Sequence, residues 1–206
     1  MTQAEKVVAK PKVVVGISGA SGVACGIRLL EALKELGAQS HLVITKPGEM
    51  TIGYETSFAP RDVLGKADQA YSIGDIAAPI ASGSFKTQGM IVAPCSVRTM
   101  SEIATGVTTN LLTRAADVML KERRPLILLV RESPLHLGHL RTLTHLAEIG
   151  AIIVPPVPAF YTEPQSISDI VDQMVGRVLD LLGYTWPVRR WGDELSKGRR
   201  RPKCPA

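Results

Sequence analysis

Apolar residues along the chain follow two spacings, one typical of buried strands and one typical of amphipathic helices. Short consecutive apolar runs predict strands at 12–17, 41–44, 90–93, 126–130 and 151–154. Between them, apolar residues recur every three or four positions, which predicts helices at 23–36, from Pro47 onward, and at 96–104, 110–124, 136–148 and 167–182. Gly37 and Ser96 are suited to cap helix ends. Residues 60–87 give only a weak pattern.

Strands that alternate with helices predict an α/β fold in which helices cover both faces of a mostly parallel sheet. This is a Rossmann-like or flavodoxin-like three-layer sandwich. Neither a Pro- or Gly-rich linker nor an internal repeat divides the sequence. We therefore expect one domain over 12–192, an N-terminal extension at 1–11, and a basic, disordered C-terminal tail at 193–206.

The net charge of +5 and the pI of about 9.2 would suit a nucleic-acid or membrane-surface protein. However, five of the 24 basic residues lie within 197–206, and the other basic residues equal the 19 acidic ones in number. Aromatic residues are 4% of the chain, which leaves few side chains that could stack on nucleic-acid bases. Nucleic-acid binding stays open as an alternative for the tail alone, and we expect none for the body.

Other function classes are disfavoured by what the sequence lacks. No apolar run approaches the roughly 20 residues of a membrane-spanning helix, and the first twelve residues do not look like a secretory signal. Three scattered cysteines favour neither a disulfide framework nor a zinc site. The histidines at 136, 139 and 145 have no carboxylate at zinc-site spacing. We expect a cytoplasmic protein with no membrane association and no bound metal.

In open parallel sheets, ligands bind at the carboxyl ends of the strands, and the first two strands end in informative loops. The first loop reads GISGASG at 16–22, which matches neither the dinucleotide fingerprint nor the P-loop. Small residues there admit a phosphate or a ring near a helix N-terminus, although a tight packing turn is an equal alternative. The second strand ends at Thr45 and Lys46, where an NAD site would place an acid. Nicotinamide binding is therefore disfavoured.

Two later strands also end in polar residues. The segment 94–99 reads PCSVRT, in which hydroxyl groups, backbone N–H groups and Arg98 suit a phosphate or a flavin edge. Cys95 is a poor candidate nucleophile, because no histidine lies near it in the sequence. Arg131 and Glu132 follow the strand at 126–130 and are placed for an anion and a proton. Arg123 and Arg124 are better explained by the electrostatics of a helix end.

Six segments together make a family resemblance visible. In chain order they are GISGASG at 16–22, PCS at 94–96, RAAD at 114–117, LKERRPL at 120–126, RESPLHL at 131–137 and PAFY at 158–161. Together they closely resemble the flavin prenyltransferases of the UbiX type, over about residues 13–191. Thr45 stands where that family usually has serine, and Pro47-Gly48 departs from the small alanines common there, which leaves the shape of that loop open.

The resemblance implies an activity, partners and an assembly. The chain would bind reduced FMN and dimethylallyl phosphate and join the dimethylallyl group to N5 and C6 of the flavin without a metal. Its product, prenylated FMN, would serve UbiD-type decarboxylases. Members of the family form homo-oligomers, commonly dodecamers, with active sites at subunit contacts. The alternative is an FMN-dependent oxidative cysteine decarboxylase of the related flavoprotein class, which lacks the KERRP and RE-x-P segments.

The resemblance also implies the site residues. Flavin-binding residues would be Gly19, Ala20, Ser21, Thr45, Ser96, Val97, Arg98, Thr99, Arg114 and Arg131. Residues that bind dimethylallyl phosphate would be Ala81, Ser82, Lys121, Tyr161, Arg177 and Trp191, with a plain packing role as an equal alternative for Trp191. Catalytic residues would be Ser21, Glu55, Lys121, Arg131 and Glu132. Independently of the family, several cations and a phenol can stabilise a phosphate leaving group that carries nearly two negative charges.

Overall fold

The protein is a six-stranded sheet with helices on both faces, seen in a computed structural model that describes residues 10–193. The strands are β1 (Lys12–Ile17), β2 (Gln39–Ile44), β3 (Gln69–Tyr71), β4 (Gly89–Cys95), β5 (Leu126–Val130) and β6 (Ile152–Ile153). The helices are α1 (Val23–Glu35), α2 (Lys46–Glu55), α3 (Pro60–Leu64), α4 (Val97–Ala104), α5 (Leu111–Lys121), α6 (Leu137–Glu148) and α7 (Ile167–Leu181). Short 3₁₀ turns lie at Pro79–Ala81 and Phe160–Thr162.

The strand order is β3-β2-β1-β4-β5-β6, and neighbouring strands are parallel at every pairing. The chain therefore moves outward from β1 in one direction and from β4 in the other. The register places Val15 level with Leu42 and Ile91, and all three belong to one core. The adjacent residue, Val14, belongs to the core on the opposite face, as the two-residue period of a strand requires.

The two cores make the three layers of the predicted sandwich. One core packs α1, α3 and α7 against the sheet, and the other packs α4 and α5. The flavodoxin-like fold expected from the sequence is confirmed. Within residues 10–193, no helix is long and apolar enough to cross a membrane.

Helix ends follow the capping residues of the sequence. Ser96, Asn110 and Ser166 each accept the backbone N–H of the residue three positions on, so each begins a helix. Gly37, just beyond α1, has a φ of 70°, a left-handed conformation that glycine adopts without steric cost. Both capping predictions, at Ser96 and at Gly37, are confirmed.

Several elements differ from the sequence prediction, and strand β2, for example, begins at Gln39 rather than at 41. Helix α5 ends at Lys121 rather than at 124, and Arg123 has a φ of 53°, outside the helical range. Strand β4 continues to Cys95, strand β6 is only two residues long, and strand β3 was missed altogether. The predicted extension at 1–11 and tail at 193–206 lie almost entirely outside the described residues.

A buried histidine makes the stability of the fold depend on pH. His41 is 4% exposed, its Nδ1 lies 2.8 Å from Tyr71 Oη, and its Nε2 has no partner among residues 10–193. The ring also meets the edge of Phe85. Burial lowers the pKa of His41, the nearby Lys12 lowers it further, and Asp68 opposes them. At neutral pH the imidazole is therefore neutral in the folded protein.

We expect the free energy of unfolding to fall as the pH is lowered from about 7 toward 5. The unfolded chain takes up a proton at the ordinary histidine pKa near 6.5, and folded His41 takes it up only at a lower pH. Stability is therefore lost between these two pKa values, with a slope of at most about 1.4 kcal/mol per pH unit. Urea unfolding at several pH values measures this slope. His41→Gln should flatten it, whereas His145→Gln, on the surface of α6, should not. An unchanged slope in His41→Gln would contradict the assignment.

Candidate functional site

Backbone hydrogen bonds draw together the ends of four neighbouring strands. Thr45 N–H donates to Ile17 O at 2.9 Å, Ser18 N–H to Pro94 O at 3.2 Å, and Arg131 N–H to Cys95 O at 3.1 Å. These contacts continue the sheet beyond β2, β1, β4 and β5. The loops that follow the four strands are thereby fixed side by side at the carboxyl edge.

A cavity of about 560 Å³ opens at this edge. It lies between the parallel strands β1 and β4, where the direction in which successive strands are added to the sheet reverses. This is the usual ligand position in open parallel sheets. Its volume is within the range of small-molecule sites. Predicted site residues that line it are Gly19, Ala20, Ser21, Thr45, Ser96, Val97, Arg98, Thr99, Arg131 and Glu132.

The small residues of two loops shape one wall of the cavity. A Cβ on Gly19 would lie 2.3 Å from Pro47 Cβ, and a Cβ on Gly48 would lie 2.8 Å from Ile17 O. Thr45 Oγ1 accepts the Gly48 N–H at 3.1 Å and begins α2. The Pro47-Gly48 segment, whose shape the sequence left open, is therefore the first turn of a helix that rests on Gly19.

A buried serine ties the β1 and β4 loops together. Ser18 is 0% exposed; its hydroxyl donates to Pro94 O at 2.9 Å and accepts the Ser96 N–H at 2.8 Å. Ser96 in turn caps α4 by accepting the Thr99 N–H. The first turn of α4 thus presents its N–H groups at the cavity, where the helix dipole favours an anion. The capping role of Ser96 and its place in the cavity wall are compatible.

Three cations line the cavity, and they differ in their partners. Arg98 Nε donates to Glu102 Oε1 at 2.8 Å, forming an ion pair. Lys46 and Arg131 are exposed, and neither has an ion-pair partner within residues 10–193. Two cations that form no ion pair within these residues lie at the mouth of the cavity, and they favour an anionic ligand. No cluster of three or more His, Cys, Asp or Glu suited to a metal ion occurs in this part of the chain.

Glu55 lies beside the cavity and has a structural partner. Its Oε2 accepts the N–H of Gly22 at 2.8 Å and of Val23 at 3.1 Å, and so caps α1, whose own N-cap residue offers no side chain. The carboxylate therefore lies at the backbone of Gly22, the residue that follows Ser21 in the chain. The neighbouring Cys25 has a pKa raised to about 11, by burial first and by Glu55 second.

Cys95 does not offer a nucleophile. It is fully buried, and burial raises the pKa of its thiol far above the usual value. A protonated, enclosed thiol is unreactive. This agrees with the expectation that Cys95 is a poor candidate nucleophile.

Tyr161, Arg177 and Trp191 form a second group. Tyr161 and Arg177 line a separate cavity of about 210 Å³ beyond the ends of β5 and β6. The Tyr161 hydroxyl accepts from Gln173 Nε2 at 3.2 Å, and the rings of Tyr161 and Trp191 meet edge to face, with centroids 5.1 Å apart. Trp191 packs on Tyr161 yet stays 80% exposed.

Lys121, Ala81, Ser82 and Arg114 form a third group. Arg114 Nε donates to Ala81 O at 3.2 Å and its Nη1 to Asp117 at 2.6 Å, while Lys121 Nζ pairs with Glu122 at 2.6 Å. Arg124, expected to act through helix-end electrostatics, instead donates to Gly83 O and Phe85 O and holds the same loop.

One chain does not bring Lys121 and Arg131 together. Asn110 lines the large cavity and caps the start of α5. Lys121 is at the other end of that helix, about 16 Å along its axis. It precedes β5, whereas Arg131 follows β5, so the two cations lie at opposite edges of the sheet. A joint role for them stays a prediction for an assembled oligomer.

Five residues that line the cavity were not among the predicted site residues: the apolar Pro47 and Ile73, and the polar Lys46, Glu102 and Asn110. Each of the three polar residues had a weak local signal. Lys46 directly follows Thr45, Glu102 is one helical turn after Arg98, and Asn110 is a recognisable N-cap.

Known proteins resemble this chain over most of its length. Residues 1–179 match a family described as Flavoprotein. The flavin prenyltransferase UbiX of Escherichia coli (strain K12) is 54% identical over 184 residues, covering 87% of this chain and 97% of that protein.

Solved structures show the same relationship. AnUbiX (PadA1), crystallised with FMN and dimethylallyl pyrophosphate, has a TM-score of 0.88 and 47% identity, covering 89% of this chain and 98% of that one. A dodecameric FMN-dependent UbiX-like decarboxylase from Escherichia coli O157:H7 has a TM-score of 0.86 and 47% identity, covering 87% and 98%. The cysteine decarboxylase TvaF, with a TM-score of 0.58 at 18% identity, shares the fold alone. The chain belongs to the Flavoprotein family and, within it, to the flavin prenyltransferases of the UbiX type.

Proposed function

We propose that the chain transfers the dimethylallyl group of dimethylallyl phosphate to N5 and C6 of reduced FMN. The observation that carries the proposal is the cavity at the β1/β4 switch point, where ten of the predicted site residues meet. One of them, Arg131, and the neighbouring Lys46 are cations without an ion-pair partner within residues 10–193. The crystallised relative AnUbiX holds FMN and a dimethylallyl diphosphate in the same fold. The cysteine decarboxylase alternative has only a distant likeness of fold in its favour.

The residues of the cavity suit a flavin mononucleotide. Gly19, Ala20 and Ser21 form a stretch of small residues at the wall, which allows close approach of a flat ring. The first turn of α4 offers N–H groups to a phosphate. We assign the ribityl phosphate to Ser96, Val97, Arg98 and Thr99, and the ring to the loop that ends at Ser21, with the Ser21 hydroxyl near N5.

The chemistry that the protein must supply is charge stabilisation at a leaving phosphate. As the C–O bond of dimethylallyl phosphate breaks, negative charge grows on the phosphate, and fixed cations lower the barrier. Arg131 is the cation that this cavity offers at the end of β5. Glu132, whose carboxylate accepts the Ser133 N–H at 2.8 Å, lies beside it and can exchange a proton with the phosphate.

We infer that the active site is completed by neighbouring subunits. Lys121 lies at the far edge of the sheet in its own chain, so a second copy must bring a Lys121 to the cavity if this lysine acts on the phosphate. Helix α6 buries only Leu146 in the single chain and exposes Leu137 and Leu140, as a helix covered by another subunit would. A UbiX-like relative is dodecameric. We therefore propose a homo-oligomer whose prenylated FMN serves a UbiD-type decarboxylase.

The proposal is tested by the product. Protein incubated anaerobically with reduced FMN and dimethylallyl phosphate should yield a flavin whose mass is raised by the five-carbon group. Recovery of unmodified FMN alone would contradict it. A parallel incubation of oxidised FMN with a peptide ending in cysteine tests the alternative, since flavin reduction there would favour a cysteine decarboxylase.

A further inference from the structure

Glu102 is an acidic residue in the wall of a cavity that is proposed to bind anions. Its side chain is 15% exposed and uses both oxygens. Oε1 accepts from Arg98 Nε at 2.8 Å, and Oε2 accepts from Thr109 Oγ1 at 3.1 Å and from Asn110 Nδ2 at 3.3 Å. The carboxylate thus joins Arg98, on α4, to the residue that caps α5.

Helix stability does not account for the Arg98–Glu102 pair. Arg98 is the second residue of α4, where the positive end of the helix dipole disfavours a cation. An arginine that precedes glutamate by four residues is also the weaker order of an i,i+4 pair. The Arg98 side chain is 78% exposed, so solvent screens the pair further. The ion pair fixes the guanidinium group of Arg98 at the cavity and contributes little to the stability of α4.

We propose that Glu102 is a positioning residue that holds Arg98 for binding a phosphate monoester in this cavity. The pair uses Arg98 Nε and leaves its two Nη groups without a partner in residues 10–193. A guanidinium held in this way keeps two donors in a plane for phosphate oxygens. The inference rests on the proposed function and deepens it. The proposed function assigns Arg98 to the phosphate of FMN, and the phosphate of the prenyl donor is the alternative that the experiment separates from it.

Whether Glu102→Ala strengthens or weakens phosphate binding distinguishes a positioning role for Glu102 from a purely electrostatic one. Glu102 carries a negative charge into a site for a dianion, so electrostatics alone would make Glu102→Ala bind phosphate more tightly. If Glu102 orients Arg98, the same substitution frees the guanidinium to other rotamers and weakens binding. Loss of one charge-assisted contact corresponds to roughly a tenfold change in affinity.

The experiment compares ligands with and without phosphate. Flavin fluorescence titrations give the Kd of FMN and of riboflavin for the wild type, Glu102→Ala, Glu102→Gln and Arg98→Ala. We expect Glu102→Ala to raise the Kd of FMN about tenfold and that of riboflavin less than about twofold. Glu102→Gln retains an acceptor for Arg98 and should recover most of the preference for FMN.

A double variant and a control complete the comparison. Arg98→Ala combined with Glu102→Ala should have a Kd for FMN no higher than that of Arg98→Ala alone. The control Glu31→Gln alters a carboxylate that pairs with Arg28 and Lys66 elsewhere and should change neither Kd.

Steady-state kinetics at saturating FMN separate the two phosphate sources. If Arg98 serves the prenyl donor, Glu102→Ala raises the KM for dimethylallyl phosphate about tenfold with kcat nearly unchanged, and the FMN titrations do not move. Equal weakening of FMN and riboflavin, tighter binding of FMN, or no change in either assay would overturn the proposal. If the wild type forms no prenylated flavin, the proposed function fails, whereas the titrations still decide the role of Glu102 toward FMN.

Discussion

Arg131→Ala is expected to lower turnover of dimethylallyl phosphate by about 10²- to 10³-fold, as removal of a donor aimed at developing charge does in other enzymes. Arg131 is anchored by its own backbone, because its N–H donates to Cys95 O and fixes the residue beside the first turn of α4. Its side chain lines the cavity and has no ion-pair partner within residues 10–193. The charge is therefore free for a ligand.

Saturating FMN is needed in this assay, because Arg131 is also predicted to contact the flavin. Arg131→Lys keeps the charge without the planar pair of donors, so it should recover part of the rate. Arg61→Ala removes an arginine that is 89% exposed on α3 and serves as the control. Turnover of Arg131→Ala within about twofold of Arg61→Ala, at equal thermal stability, would show that Arg131 does not act on the leaving group.

The fold was predictable because its central strands are continuous apolar runs. Residues 12–17 and 126–130 are strands buried on both faces, and such strands have a plain sequence signal. Strand β3 reads QAY, is three residues long and lies half-exposed at the edge of the sheet. Its pairing with β2 is a tertiary effect, which no local pattern contains.

The local part of the site was predictable for the same reason. The loops at 16–22, 94–99 and 131–132 each follow a recognisable strand, and parallel strands end at one edge. Contacts across the chain were not predictable in this way. That Glu55 caps α1, from 33 residues away, follows only from the packing of α2 on α1. Glu102 had an i,i+4 partner in the sequence, but its bonds to Thr109 and Asn110 depend on the turn between α4 and α5.

Lys121 and Arg131 show most clearly that closeness in the sequence does not predict closeness in the fold. They are ten residues apart, and the family resemblance assigns both to one phosphate. Strand β5 separates them, and five residues of extended chain span about 17 Å. The two residues are therefore close in the sequence but lie at opposite ends of strand β5. If both cations act on one phosphate, the site belongs to the oligomer rather than to the chain.

This leads to a complementation result. Lys121→Ala and Arg131→Ala are each expected to abolish most of the turnover, and co-expression of the two variants, with different affinity tags, should restore it in mixed oligomers. With random mixing, about a quarter of the sites pair an intact Arg131 with an intact Lys121 from another subunit. Turnover of doubly purified mixed oligomers, relative to wild type, measures this fraction.

A mixture of Arg131→Ala with Glu132→Gln is the matched control, since both residues line the cavity of the same chain. Every site in that mixture carries one of the two defects, so its turnover should equal the mean of its two parents. Shared sites require the Lys121–Arg131 mixture to exceed the mean of its own two parents clearly. A Lys121–Arg131 mixture no more active than that mean, or full activity of Lys121→Ala alone, would show that Lys121 acts on no neighbouring cavity, and Arg131 would then stabilise the leaving phosphate without it.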